Sequence, residues 1–268
     1  MTDKIYNEDC LIGMDKIPDG VVDFVLTDLP FGITDCDWDK CIDLAKFWEQ
    51  IKRVTKHNAA IALFSQLPFA VDLINANRKM FRYEWIVRKD RRMGHLNAKK
   101  MPLRCHENIL IFYRALPTYN PQFTQGRRYK KRMNEPLRGD HVYNKARLDN
   151  AVGLVRENKD GKRYPIDVID AIYTNSTFQP GTTLWGGKVE DKHPTQKPVD
   201  LLEYLIKTYS NEGELVLDAT IGSGSTAVAC INTNRHFIGF ETDEKFYNIA
   251  NERIRKAFDE RSSAFLME

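Results

Sequence analysis

The chain has no apolar run of the roughly 20 residues that a bilayer span needs, and no charged-then-apolar leader follows Met1. The expectation is a cytoplasmic protein, or a phage product acting inside a cell. Cysteine is sparse and scattered: Cys10, Cys36, Cys41, Cys105 and Cys230, with no C-x-x-C pair. An odd number at irregular spacing argues against a disulfide framework. Cys36 and Cys41 have no second pair to complete a tetrahedral site, so no metal is expected. Charge of one sign is also lacking, since 40 Lys+Arg stand against 37 Asp+Glu for a net +3. That sum neither demands nor excludes nucleic acid; the distribution of charge carries more weight. No internal repeat or low-complexity tract appears.

What is present is strand–helix alternation. At 268 residues the chain can bury a substantial core, as one large α/β domain or one domain with an insertion. Short apolar runs at Val21–Leu26, Ala59–Phe64, Tyr83–Val87, Asn108–Tyr113, Glu214–Asp218 and His236–Glu241 read as buried strands. Between them, helical apolar spacing covers 10–17, 40–57, 68–80, 198–206 and 243–258, with a further helix starting at Ala227. This pattern predicts βαβ units and a mainly parallel sheet. It lapses between about Leu116 and Asp191. The expected organisation is therefore 1–115 as one half of the main domain, 116–191 as an insertion, and 192–268 as the second half.

Three stretches bear on chemistry. Asp28-Leu29-Pro30-Phe31 follows the strand at Val21–Leu26, and ligands in open α/β sheets sit at the carboxyl ends of strands. A carboxylate, a rigid carbonyl and a flat ring within four residues suit the grip of a planar base by its amino group. An ordinary strand exit would use the same residue types. Gly222-Ser223-Gly224-Ser225-Thr226-Ala227 fits G-x-G-x-x-[GA] between a strand and a helix, and Glu241 ends the next strand. Glycines let backbone approach a ligand, and the acid suits ribose hydroxyls. These residues alone do not separate NAD from S-adenosylmethionine. The third stretch, His193-Pro194-Thr195-Gln196-Lys197-Pro198, reads on its own as a polar loop leading into a helix. Within the insertion, eight Lys/Arg face only Glu135 and Asp140 between Gln125 and Arg147, with Tyr129 and Tyr143 interleaved. Arg127, Arg128, Lys130, Lys131 and Arg132 are candidates for phosphate contact, although a solvated surface would look the same.

Together these pieces closely resemble the β-class of amino-methyltransferases acting on DNA bases. That family carries D-P-P-[YF], a target-recognition region, H-P-T-Q-K-P and a glycine-rich S-adenosylmethionine loop, in the order found here. Leu96-Asn97-Ala98-Lys99-Lys100 and Arg104-Cys105-His106-Glu107 also resemble phage and prophage members. The resemblance covers nearly the whole chain outside the insertion and favours S-adenosylmethionine over NAD. It implies a Rossmann-like α/β methyltransferase fold with helices on both faces of the sheet and 116–191 as target-recognition region. It also implies double-stranded DNA as partner, a dimer, and a setting in restriction–modification, although no nuclease segment is visible. Two departures stand out. Leu29 takes the place of a proline, and Ala219-Thr220 replace a common Pro-Phe pair.

The resemblance further implies a cofactor set of Asp9, Asp28, Thr195, Lys197, Asp218, Gly222, Ser223, Gly224 and Glu241. Catalysis would fall to Asp28, Leu29, Pro30 and Phe31: Asp28 and the carbonyl of Leu29 or Pro30 take the amine's two hydrogens, and Phe31 stacks on a flipped base. Asp at the first motif position goes mostly with adenine N6 in this family. Alternatives are cytosine N4, a catalytically silent DNA-binding relative, and an enzyme acting on RNA or a protein glutamine. A nicotinamide dehydrogenase ranks last, for want of a hydride-transfer acid or base.

Overall fold

The computed structural model describes residues 2–32, 41–132, 155–170 and 196–265. Met1–Asn120 and Asp167–Glu268 form one compact unit, and Pro121–Ile166 a second.

The larger unit opens with β1 (Lys4–Tyr6), α1 (Cys10–Gly13), β2 (Val22–Thr27), α2 (Leu44–Val54), β3 (Thr55–Ser65), α3 (Phe69–Ala76), β4 (Phe81–Met93) and β5 (Arg104–Phe112). The smaller unit holds β6 (Thr124–Gln125), β7 (Tyr129–Arg132), β8 (Val155–Asn158) and β9 (Lys162–Arg163). The chain then returns through β10 (Val168–Asp170), α4 (Val199–Tyr209), β11 (Leu215–Asp218), α5 (Ser225–Asn232), β12 (His236–Phe240) and α6 (Glu244–Phe265).

One eight-stranded sheet runs β1-β12-β11-β2-β3-β5-β4-β10, parallel except where β5 pairs antiparallel with β3 and β4. Residues alternate across it. Phe24, Leu26, Ala60, Ala62, Ile109, Ile111 and Val216 join the core under α4, α5 and α6, whereas Val25, Ile61, Leu63, Leu110 and Leu217 join the core under α1, α2 and α3. A strand buried on both faces must be apolar throughout, so these segments read as continuous hydrophobic runs. The Rossmann-like α/β architecture expected from the sequence is the observed one.

The elements differ from expectation in instructive ways. The helix expected over 10–17 is four residues of α1 followed by a 3-10 turn at Met14–Lys16. That expected over 40–57 starts at Leu44, where Asp43 caps the backbone N–H groups of Ala45 and Lys46 at 3.0 and 3.2 Å. It stops at Val54 because Thr55 turns extended and begins β3. Periodicity alone carries no strand direction, and the antiparallel β5 was not legible. Residues 94–103 are too short for a parallel crossover, and Gly94 at φ +83° turns the chain back as a hairpin. The short strand β10 joins the sheet edge beside β4, from within the stretch read as insertion.

In the smaller unit, β6 pairs with β9 and β7 with β8, both antiparallel. Arg163 lies over the Tyr129 ring at 5.1 Å, and Phe123 packs on Tyr164 with ring centroids 4.9 Å apart. No described helix is long and apolar enough to cross a membrane.

Candidate active site at the sheet's switch point

From β2 the chain moves through α2 to β3 on one side; from β11 it moves through α5 to β12 on the other. The border between β11 and β2 is thus the point where strand order reverses, and a crevice opens at the carboxyl ends of such strands. Val216 pairs with Phe24 and Leu217 with Val25, so Asp218 and Asp28 end neighbouring parallel strands. Glu241 follows β12, and Asp9 follows β1 one strand further out. Residues more than 200 positions apart in the chain meet along one edge.

The glycine loop has the backbone its sequence calls for. Gly222 and Gly224 sit at φ +55° and +81°, a region costly for any other residue. A Cβ on Gly224 would lie 2.9 Å from the Ala250 side chain. From α6, Arg253 donates to the Ser223 carbonyl at 2.6 Å, the Ser223 hydroxyl at 3.0 Å and the Ser225 hydroxyl at 3.2 Å. Ser223 in turn donates to Gln196 at 3.1 Å. Asp218 accepts from Thr226 at 2.6 Å and from the Thr220 N–H at 3.1 Å, yet burial still pushes its pKa up to about 6. Burial also raises Glu241, whose Oε1 accepts from the Asp243 N–H at 2.8 Å. Asp9 is the cap of α1, accepting from Leu11 at 2.7 Å.

Asp28 stands at the end of a charge ladder. Its Oδ2 is paired with the Lys197 ammonium. Lys197 lies 3.9 Å from Glu107, and Glu107 is 2.9 Å from the buried Lys89. The Lys197 ammonium also sits over the Phe64 ring at 4.8 Å. Asp28 Oδ1 is shut off from solvent and takes no hydrogen bond from the described residues. Burial raises the Asp28 pKa, Lys197 opposes this, and Glu107 adds to the rise. For Lys197 burial acts downward, but Asp28 and Glu107 outweigh it, and the net shift is upward.

The two departures from the family pattern acquire a physical account. Leu29 is buried in the core that also holds residues of α2 and α3. Thr220 donates its hydroxyl to the Asp28 carbonyl at 2.9 Å and lies 2.9 Å from the Thr27 hydroxyl. That carbonyl is therefore engaged, whereas those of Leu29 and Pro30 accept no hydrogen bond among the described residues. Phe31 stands beside Phe69, centroids 5.2 Å apart, and its carbonyl accepts from the Cys41 thiol at 3.5 Å.

Asp9, Asp28, Asp218, Gly222, Ser223, Gly224 and Glu241 thus follow strands whose carboxyl ends share one edge. Lys197, assigned to the cofactor from sequence, has its ammonium against Asp28. Thr195, with His193 and Pro194, lies outside the described residues. Arg127, Arg128 and Lys130 are exposed in the smaller unit, where Lys130 faces Glu157 at 3.8 Å; Lys131 and Arg132 belong to β7. Glu107, Lys89, Thr220 and Arg253 were missed as site residues. The one sequence signal was Glu107, an acid opening an apolar strand.

Fold and site together define a class: Rossmann-like α/β proteins with a glycine-turned loop and acids at the strand ends flanking the switch point. The profile of the N6/N4 DNA methylase family matches residues 22–252, and the chain belongs to that family. It is 25% identical over 265 residues to the type II methyltransferase M1.MboII of Moraxella bovis, covering 92% of this chain and 95% of that one. It is 36% identical over 110 residues to M2.DpnII of Streptococcus pneumoniae, covering 41% of this chain and only 37% of that protein's length. The crystal structure of the M1.HpyAVI–SAM complex matches with TM-score 0.61 at 21% identity, over 94% of this chain and 98% of that one.

Proposed function

We propose that this protein transfers a methyl group from S-adenosylmethionine to the exocyclic N6 of adenine in duplex DNA, after rotating the base out of the stack. The observation that carries this reading is the Asp28 carboxylate beside the glycine loop, with one oxygen anchored by Lys197 and the other buried and unpartnered among the described residues. A buried acceptor with no donor is costly unless a ligand supplies one. The residues present fit the cofactor: two positive-φ glycines allow close approach, and Glu241 offers a carboxylate to ribose hydroxyls.

S-adenosylmethionine supplies, when bound, an electrophilic methyl group on a sulfonium. An exocyclic amine is a poor nucleophile because its lone pair is delocalised into the ring. Asp28 Oδ1 accepts one amine hydrogen, and the carbonyl of Leu29 or Pro30 accepts the other. Pulled out of plane, the nitrogen becomes more tetrahedral and its lone pair is freed. Positive charge builds on that nitrogen only as transfer proceeds, so the acceptors act mainly on the transition state. Asp28, whose pKa is raised by burial, is suited to take the proton that the methylated amine sheds. Phe31 stacks on the base, and Arg127, Arg128, Lys130, Lys131 and Arg132 meet phosphates.

The test is product analysis. Purified protein, S-adenosylmethionine and unmethylated duplex DNA are incubated, the DNA is digested to nucleosides, and methylated bases are measured by mass spectrometry. N6-methyladenine is expected. N4-methylcytosine would keep the mechanism and change the base. No methylated base from a protein that binds the cofactor would overturn the reading in favour of a silent binder or a different substrate.

A further inference from the structure

β4 beyond Arg88 and β5 before Asn108 pair only with each other among the described residues. Ser65, the last residue of β3, pairs with Asn108, so this hairpin projects past the carboxyl edge of the sheet, the edge that carries Asp28. Its root is part of the site, because Lys89 and Glu107 are the lower rungs of the ladder that ends at Lys197 and Asp28. From Lys89 to Met93 the strand rises about 13 Å, which carries the tip clear of the sheet.

The tip's composition is unusual for a solvated turn. Residues 92–102 are all exposed and contain Arg92, His95, Lys99 and Lys100 with no acid. None of Arg92, Lys99 and Lys100 forms an ion pair among the described residues. At the apex Leu96 is 88% exposed, flanked by Met93 and Met101 at 44% and 50%. Scattered exposed apolar residues need no explanation, but an aliphatic apex ringed by unpaired cations, rooted in the candidate active site, matches what a duplex requires of an invading element. Cations meet phosphates on either side, and an apolar wedge enters a base step.

We propose that the β4–β5 hairpin enters the DNA duplex beside the target, with Leu96 filling the space left by the extruded base and Arg92, Lys99 and Lys100 on flanking phosphates. This rests on the reading of the site as that of a base-flipping DNA methyltransferase. It assigns DNA contact to an element of the larger unit, separate from the basic run in the smaller one.

The experiment uses the full chain and a duplex carrying the sequence that wild type methylates, with 2-aminopurine at the target for binding and adenine for turnover. Leu96→Ala is expected to bind S-adenosylmethionine and to melt as wild type does. It should lose at least tenfold in methylation rate and most of the 2-aminopurine fluorescence rise. Much of that loss should return on a duplex mismatched at the target, where the base is already loosened. Lys99→Ala and Lys100→Ala should each lower the slope of log affinity against log salt by about one. A Leu96→Ala protein equal to wild type on the matched duplex, or a defect that the mismatch does not relieve, overturns the wedge. A wild type that methylates no DNA overturns the underlying reading as well, and is told apart because it fails before any variant is made.

Discussion

Asp28 holds its carboxyl in surroundings that disfavour the charged form. Burial and Glu107 both raise its pKa, and Lys197 is the counterweight. Asp28→Ala should reduce turnover by about 10²–10⁴-fold while calorimetry still detects S-adenosylmethionine binding; loss of both on a folded protein would give the residue another role. Glu107→Gln removes a like charge from the neighbourhood. The Asp28 pKa should then fall, so the acid limb of the kcat profile should move to lower pH; an unmoved limb would mean the two carboxylates are not coupled. The same substitution leaves Lys89 buried without its carboxylate, at a cost of about 3–5 kcal/mol, so denaturation must be measured beside the rates. Asp218 makes a pH prediction for stability. Its folded pKa of about 6 lies above the ordinary 3.8, so the folded state binds the proton more tightly than the unfolded one. Stability from this group is therefore lost as pH rises from about 4 to 6, by about 3 kcal/mol. Urea titrations at pH 4.5 and 7 should show Asp218→Asn losing less stability across that interval than wild type.

At the scale of elements, the loop between β11 and α5 concentrates the constraints. Gly224 has φ +81°, and an added Cβ would press on Ala250 of α6. Gly224→Ala should cost about 1–3 kcal/mol and weaken cofactor binding, because the loop can relieve the strain only by moving away from α6. Calorimetry with denaturant titration checks both; unchanged affinity would place the cofactor elsewhere. The β4–β5 hairpin shows the complementary economy. Its root is locked by the buried Lys89–Glu107 pair and its tip is exposed, so sequence change at the tip need not disturb the sheet.

At the scale of the molecule, eight strands bring four sequence-distant acids to one edge, while the smaller unit presents its own cations. If Arg127 and Arg128 meet phosphates, replacing each by Ala should weaken DNA binding similarly across sequences and lower the salt slope by about one per charge. Filter binding at several salt concentrations reads both quantities. A slope unchanged in the double variant would reduce this run to a solvated surface.

The sequence by itself determined the class of fold, because doubly buried strands must be continuous apolar runs and the helices between them must be amphipathic. It also determined the local chemistry: Asp28 at a strand end, glycines where φ is positive, and an acid after the next strand. Strand direction was decided only in three dimensions, since alternation looks alike in parallel and antiparallel pairs. The same holds for the partners of charged groups. Lys197 and Asp28 are 169 residues apart, and nothing local in either tells that one neutralises the other. Glu107, Lys89 and the Thr220 hydroxyl acquired their places through pairing of β4 with β5 and of β11 with β2. Burial sets the cost of an unpaired charge, and burial is a property of the packed sheet.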